Sequence, residues 1–215
     1  MKVYITDVTV PKIEYMETMV SKARIERSKK FRFEIDRRRS LGAEALLNRV
    51  LKDNFPQITV PVTLLADAYE KPFLKTEGEA VTVSFNLSHS GNYALCAIGE
   101  HSVGCDIELR KENNAGIARR FFTKRECEHI ADVDSFFTYW TLKESFVKAV
   151  GKGLSMPMNS FEVQIGEQGE LISYLCDSIE TQYIGKSFDE IDGYFAAVCA
   201  EASEQLPEEI QWIKL

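Results

Sequence analysis

Apolar and polar residues alternate from Met1 to Val10, the period-two pattern of a half-buried strand, and Pro11 opens a connection. Between Ile13 and Lys30 the period lengthens, and Met16, Met19, Val20 and Ile25 fall where one amphipathic helix would turn inward. Leu41, Ala45, Leu46 and Val50 repeat that spacing and predict a second helix over Asp36–Leu51, broken by Pro56 and Pro61. Val81–Ser88 and Tyr93–Ile98 read as a hairpin around Ser90-Gly91-Asn92, and Ser102–Leu109 as a third strand. Helical spacing returns from Ala115 through Ala131 and from Ser135 to Gly151, where Gly151-Lys152-Gly153 supplies the stop. Phe161–Ile165, Leu171–Leu175, Thr181–Ile184 and Tyr194–Cys199 alternate again.

The pattern repeats weakly. Arg39-Ser40-Leu41 in the early helix matches Trp140-Thr141-Leu142 in the late one, and Tyr93–Ala97 resembles Tyr194–Ala200 at nearly the same shift. Each half then reads as a helix followed by a small antiparallel sheet. The expected fold class is α+β: two similar α/β subdomains, residues 1–101 and 102–215, meeting near Gly99–Ser102 with a cleft between them. A length of 215 residues accommodates that arrangement in one compact chain.

Composition narrows the partners. Five scattered cysteines without metal-type spacing read as reduced thiols in a cytoplasmic protein. The run from Met1 reaches Asp7 before any signal-like apolar core forms, and the longest uncharged run, Ala80–Gly99, is studded with polar residues, so neither secretion nor a membrane span is expected. A net charge of −7 argues against a nucleic-acid binder. Lys22–Arg39 nevertheless concentrates nine basic residues against three acidic ones, a composition that suits either a small polyanion or an acidic protein surface, or a solvated helix face.

Four elements could carry chemistry. Asp106 and Glu108, two apart on a strand, share a face and suit a hard, oxygen-ligated cation such as Mg²⁺; alone they also fit an exposed strand end. Glu144 and Lys148 stand one turn apart on a helix whose Trp140, Leu142, Phe146 and Val147 demand burial, which sets the pair beside packed surface. Were Glu144 to approach Asp106 and Glu108, a cation would resolve the repulsion. Asn86–Gly91 reads as a polar turn whose hydroxyls, imidazole and backbone could hold phosphate oxygens, and Lys71 sits in an extended segment before Pro72.

Together these elements resemble the Sfp-type 4′-phosphopantetheinyl transferases. The family's G-x-D-I/V-E signature stands as Gly104-Cys105-Asp106-Ile107-Glu108, and its W-x-x-K-E-S/A-x-x-K signature as Trp140, Lys143, Glu144, Ser145 and Lys148. Ser88-His89-Ser90 matches its S-H-S element, and Glu70-Lys71-Pro72 its G-K-P element with a departure at the first position. Phe121–Glu126 and Gly151–Leu154 also fit, so the match runs in order over most of the chain.

The resemblance implies Mg²⁺-dependent transfer of the phosphopantetheine arm of coenzyme A to a serine of an apo carrier protein, releasing 3′,5′-ADP. Asp106, Glu108 and Glu144 would hold the metal. Glu144, or a water it orients, would take the serine proton, and Lys148 would stabilise charge on the pyrophosphate. Lys71, Ser88 and His89 would bind the nucleotide end, with Arg39 and Ser40 near its base and phosphates. Arg24 and Arg27 stand where lysines for the 3′-phosphate are familiar. The resemblance also implies a monomer, and an acidic carrier docking on Lys124–Ile130 or on the exposed side of the Lys143 helix. Two rivals use the same residues: a Mg²⁺-dependent nucleotide pyrophosphohydrolase, and a non-catalytic module that binds coenzyme A or carrier.

Overall fold

The computed structural model describes residues 1–74, 83–111, 115–166, 172–177, 179 and 182–215; Val81, Thr82, Leu171 and Thr181, assigned above to strands, lie outside the described residues. The first half contains β1 (Lys2–Asp7), α1 (Ile13–Thr18), α2 (Lys22–Ser28), α3 (Glu34–Asn54), a small hairpin of β2 (Leu64–Ala66) and β3 (Pro72–Leu74), then β4 (Ser84–Ser90) and β5 (Tyr93–Gly99). The second contains β6 (Val103–Leu109), α4 (Ala115–Phe121), α5 (Lys124–His129), α6 (Val133–Val150), β7 (Glu162–Ile165), β8 (Ile172–Leu175), β9 (Tyr183–Phe188), β10 (Tyr194–Glu201) and β11 (Gln211–Trp212). Two sheets result, ordered β11-β1-β5-β4 and β6-β10-β9-β8-β7, beside the separate β2-β3 ribbon.

The halves follow one plan. In the first, β1 and β4 flank β5 and α3 covers the sheet; in the second, β6 and β9 flank β10 and α6 covers it. Strand alternation divides the core accordingly. Ala94, Cys96 and Ile98 of β5 pack with Leu46, Leu47 and Val50 of α3, while Leu95 and Ala97 face Val103, Cys105 and Ile107 of β6 and Ala196, Val198 and Ala200 of β10. The sheets therefore meet through a shared apolar layer with a helix on either outer side. β11 adds in parallel to β1, which returns the end of the chain to the first sheet.

Two helices expected to be continuous are each divided by a cap. Ser21 accepts a hydrogen bond from the Arg24 N–H and starts α2 afresh after α1, and its own N–H is held by Glu44. Thr123 and Glu126 form a capping box that separates α5 from α4. α6 conforms to its sequence signals: Asp132 caps the first turn, and Gly151, at φ 80°, ends the helix. Asn86–Gly91, read above as a polar turn, is mostly strand β4, and the reversal itself is Gly91-Asn92.

α6 lies so close to β6 that Gly104 has no room for a side chain. A Cβ there would collide with the Ser145 carbonyl oxygen and stand 2.5 Å from the Ala149 nitrogen, both backbone atoms. Gly104→Ala is therefore expected to push α6 away from the strand and lower stability by about 1–3 kcal/mol, read as a drop in the urea midpoint with an unchanged slope.

Candidate active site

The site is assembled where β4 crosses β6 beneath α6. The buried Asp106 presents Oδ1 to the Lys148 ammonium at 2.6 Å and accepts from the Ser88 hydroxyl at 2.9 Å. Lys148 also donates to Ser88 Oγ and to the Cys105 carbonyl, each at 3.2 Å. Glu108 accepts from the Ser90 hydroxyl at 2.9 Å. Glu144 stands within electrostatic reach of Asp106, Glu108 and Lys148.

The charges are unevenly compensated. Burial, then the neighbouring Asp106 carboxylate, raises the pKa of Glu108. Burial raises that of Glu144 as well; Lys148 opposes the shift while Asp106 and Glu108 reinforce it. For Lys148 burial pulls downward, but Asp106 and Glu144 outweigh it and hold the ammonium above its usual value. Burial pushes the Cys105 thiol up to about 12, so the one sulfur beside the acids is no nucleophile near neutral pH.

Among the described residues no three His, Cys, Asp or Glu side chains already stand as a metal-binding group. The donor set nevertheless fits a hard cation. Among the described residues Asp106 Oδ2 is buried without a hydrogen-bond partner, and the two carboxylates that would join it are held toward protonation by burial and then by repulsion among the acids. Lys148 and, at Glu108, Lys111 do not neutralise three acids.

A second cluster faces β4 from the first half. Arg39 Nε donates to the Gly91 carbonyl at 2.7 Å and tethers α3 to the hairpin turn, while its Nη1 meets Asp36 at 2.9 Å. Arg24 is held by the buried Glu44 at 2.7 Å and reaches the buried Ser40 hydroxyl at 3.4 Å. His89 projects between the clusters, and burial together with Lys148, Arg39 and Arg24 lowers its pKa. Arg27 is exposed and lines an open groove with Arg24. Lys71 lies apart: its ammonium donates to the Ala149 carbonyl at 2.9 Å, at the C-terminal end of α6, and burial lowers its pKa.

Family models match both halves of the chain. Residues 9–101 match the family model for the 4′-phosphopantetheinyl transferase N-terminal region and residues 102–199 that for the 4′-phosphopantetheinyl transferase superfamily. The chain is 32% identical over 206 residues to the 4′-phosphopantetheinyl transferase Sfp of Bacillus subtilis (strain 168), covering 93% of this chain and 90% of the relative. The chain belongs to the 4′-phosphopantetheinyl transferase family. A second Bacillus subtilis relative, 4′-phosphopantetheinyl transferase ffp, is 33% identical over 202 residues, covering 91% of this chain and 88% of its own. The transferase HetI of Nostoc sp. is 30% identical over 152 residues, covering 66% and 64%.

The sequence left three supports unassigned. Asn86 accepts from the Cys105 N–H at 3.0 Å, Glu44 anchors both Arg24 and the start of α2, and Glu126 holds Lys143. A signal existed for Asn86, which alternates with Ser88 and Ser90. Lys143 is itself fully buried. Its ammonium meets Glu126 at 2.8 Å, the Met158 and Phe161 carbonyls at 2.7 and 2.8 Å, and the Phe161 ring at 4.1 Å. No helix of the described residues is long and apolar enough to cross a membrane.

Two outcomes follow. Lys143→Met strands the buried Glu126 and is expected to cost about 3–5 kcal/mol, with part of the loss recovered when Glu126→Gln is added, which removes the unpaired charge and keeps an oxygen for the backbone N–H groups of Thr123 or Val163, measured as a double-mutant cycle in denaturant. The second concerns Glu144. A carboxyl whose folded pKa is raised contributes its stability below the unfolded value and loses it as pH climbs through the folded one. Relative to wild type, Glu144→Gln should therefore gain melting temperature as pH rises from about 4 to 7, and added Mg²⁺ should raise wild type alone.

Proposed function

We propose that the protein transfers the 4′-phosphopantetheine arm of coenzyme A to the serine of an apo carrier protein and releases 3′,5′-ADP. One observation carries the reading: three acids and a lysine converge at the β4–β6 crossing, with Asp106 Oδ2 buried and unpartnered among the described residues. Family membership supplies the reaction class.

In this reading Asp106, Glu108 and Glu144 hold Mg²⁺, which when bound neutralises phosphate charge and favours the leaving group. The serine oxygen attacks the β-phosphorus, the bond to the bridging oxygen breaks, and 3′,5′-ADP departs with the electron pair. Glu144, or a water it orients, takes the serine proton as the hydroxyl attacks. Lys148, charged and fixed by three acceptors, stabilises negative charge on the pyrophosphate. Arg24 and Arg27 bind the 3′-phosphate, with Ser40 and Arg39 behind them and His89 and Ser88 between the nucleotide and the acids. Lys71 reaches the nucleotide from the end of α6. The chain acts as a monomer in the cytoplasm, docking an acidic carrier at Lys124–Ile130.

The test is to incubate the protein with coenzyme A, Mg²⁺ and several apo carriers and weigh the carriers by mass spectrometry. Each accepted carrier should gain one phosphopantetheine arm, the gain being lost with chelator and reduced at least about 10²-fold by Glu144→Gln. Free phosphopantetheine without carrier modification would instead identify a hydrolase, and no turnover of coenzyme A a binding module.

A further inference from the structure

Glu70 is the only non-glycine residue with positive φ among those described, at φ 64°. That conformation favours glycine, and glycine is what the family's G-K-P element carries at this place. Among the described residues the turn between β2 and β3 makes no hydrogen bond or ion pair with the Glu70 side chain. Asp67 Oδ1 accepts from the Tyr69 and Lys71 N–H groups at 2.8 and 2.9 Å, the Glu70 N–H donates to the Asp67 carbonyl, and the Asp67 N–H donates to the Lys71 carbonyl. A glycine would sit in the same frame without strain. The carboxylate is kept at a cost to the fold, which directs attention to what it faces.

Glu70 lines an open groove of about 560 Å³ between α2 and the β2–β3 ribbon. Arg24 and Arg27 give one wall two cations; Leu64, Leu65 and Pro72 give the other an apolar surface, with Leu65 42% exposed. A ligand filling such a groove needs an anionic group for the arginines, a flat apolar body for the ribbon, and a hydrogen-bond donor for the carboxylate. A phosphorylated nucleoside whose base carries an exocyclic amine meets all three requirements.

We propose that Glu70 is a specificity-determining residue that reads the exocyclic amine of the adenine of coenzyme A, while Arg24 and Arg27 take the phosphate. This rests on the coenzyme A reading above. Hypoxanthine, which places a carbonyl where adenine has the amine, would set an acceptor against the carboxylate and be rejected.

The test is calorimetric titration of the full chain with 3′,5′-ADP and with its hypoxanthine counterpart, for wild type, Glu70→Gln and Glu70→Gly. Wild type should prefer adenine by about tenfold, as expected for losing a hydrogen bond to a charged group on a solvent-accessible rim. Glu70→Gly should melt about 2–4 °C higher as the strain is released, yet show a preference of about twofold or less. Glu70→Gln, which keeps the strained turn but can offer either an oxygen or an NH₂ group, should also lose the preference. A ratio unchanged across all three proteins, or absent in wild type, overturns the role of Glu70 and leaves the coenzyme A reading standing. Failure of wild type to bind either nucleotide overturns both.

Discussion

The two sheets are joined along β4 and β6 by side chains instead of a backbone ladder, and the site exists because of that substitution. Asn86, Ser88 and Ser90 occupy alternate positions of β4, and their oxygens accept from the N–H groups of Cys105, Ile107 and Leu109, alternate positions of β6. Each serine then passes a hydrogen bond onward: Ser88 to Asp106 and Ser90 to Glu108. The two-residue period of one strand thus orients the two-residue acid pair of the other. Removing either hydroxyl would leave a backbone N–H without its acceptor; Glu108 would lose its serine donor, and Asp106 Oδ1 would be left with Lys148 alone. The buried polar run along β4 is therefore structural and electrostatic together.

That seam also marks the limit of what the chain pattern reveals. The strand bearing Asp106 and Glu108, and the helix bearing Glu144 and Lys148, were legible because period and apolar content agree with their final burial. Asn86–Ser88 falls in the strand the hairpin pattern predicts, but the polar content of Asn86–Gly91 also reads as a turn, because polar residues resemble a loop until the facing N–H groups that satisfy them are known. The burial of Lys143 is not legible in the helix spacing, because a lysine on an amphipathic helix is ordinarily exposed and the Glu126 that makes its burial tolerable is distant in sequence. Ser21 and Thr123 looked like helix interior because a cap is distinguished from an interior hydroxyl by backbone geometry, and neither interrupts the apolar spacing. β11 is too short to carry a period at all.

Lys143 and the rings around it explain how a helix loaded with charge stays fixed. Phe146 stacks on Tyr174 at 4.5 Å, tilts against Phe161 at 4.6 Å and meets Tyr183 edge-on at 5.3 Å. These contacts grip the side of α6 turned toward β7–β9, and the Lys143–Glu126 pair ties the same side to α5. Glu144 and Lys148 can then face β6 from a helix that has little freedom to rotate, which is how a site on packed elements holds its geometry.

The internal symmetry shows why only one half has become a site. Under the 101-residue shift that relates Tyr93 to Tyr194 and Arg39 to Trp140, Cys96 corresponds to Ala197, and their partners across the sheet are Tyr4 and Asp106. The same registers relate Thr6 to Glu108, while the shift relates Ala43 to Glu144 and Leu47 to Lys148. In the first half these four positions are buried core between β1 and α3. In the second they are three acids and a lysine. Close approach of helix and strand is achieved by opposite means in the two halves: Gly42 on α3 admits Val8, whereas Gly104 on β6 admits the backbone of α6. A glycine on the helix gives up a side chain on the surface that faces the sheet. A glycine on the strand keeps that surface whole, so Glu144 and Lys148 can face Asp106 and Glu108, whereas the first half carries buried core in the same place.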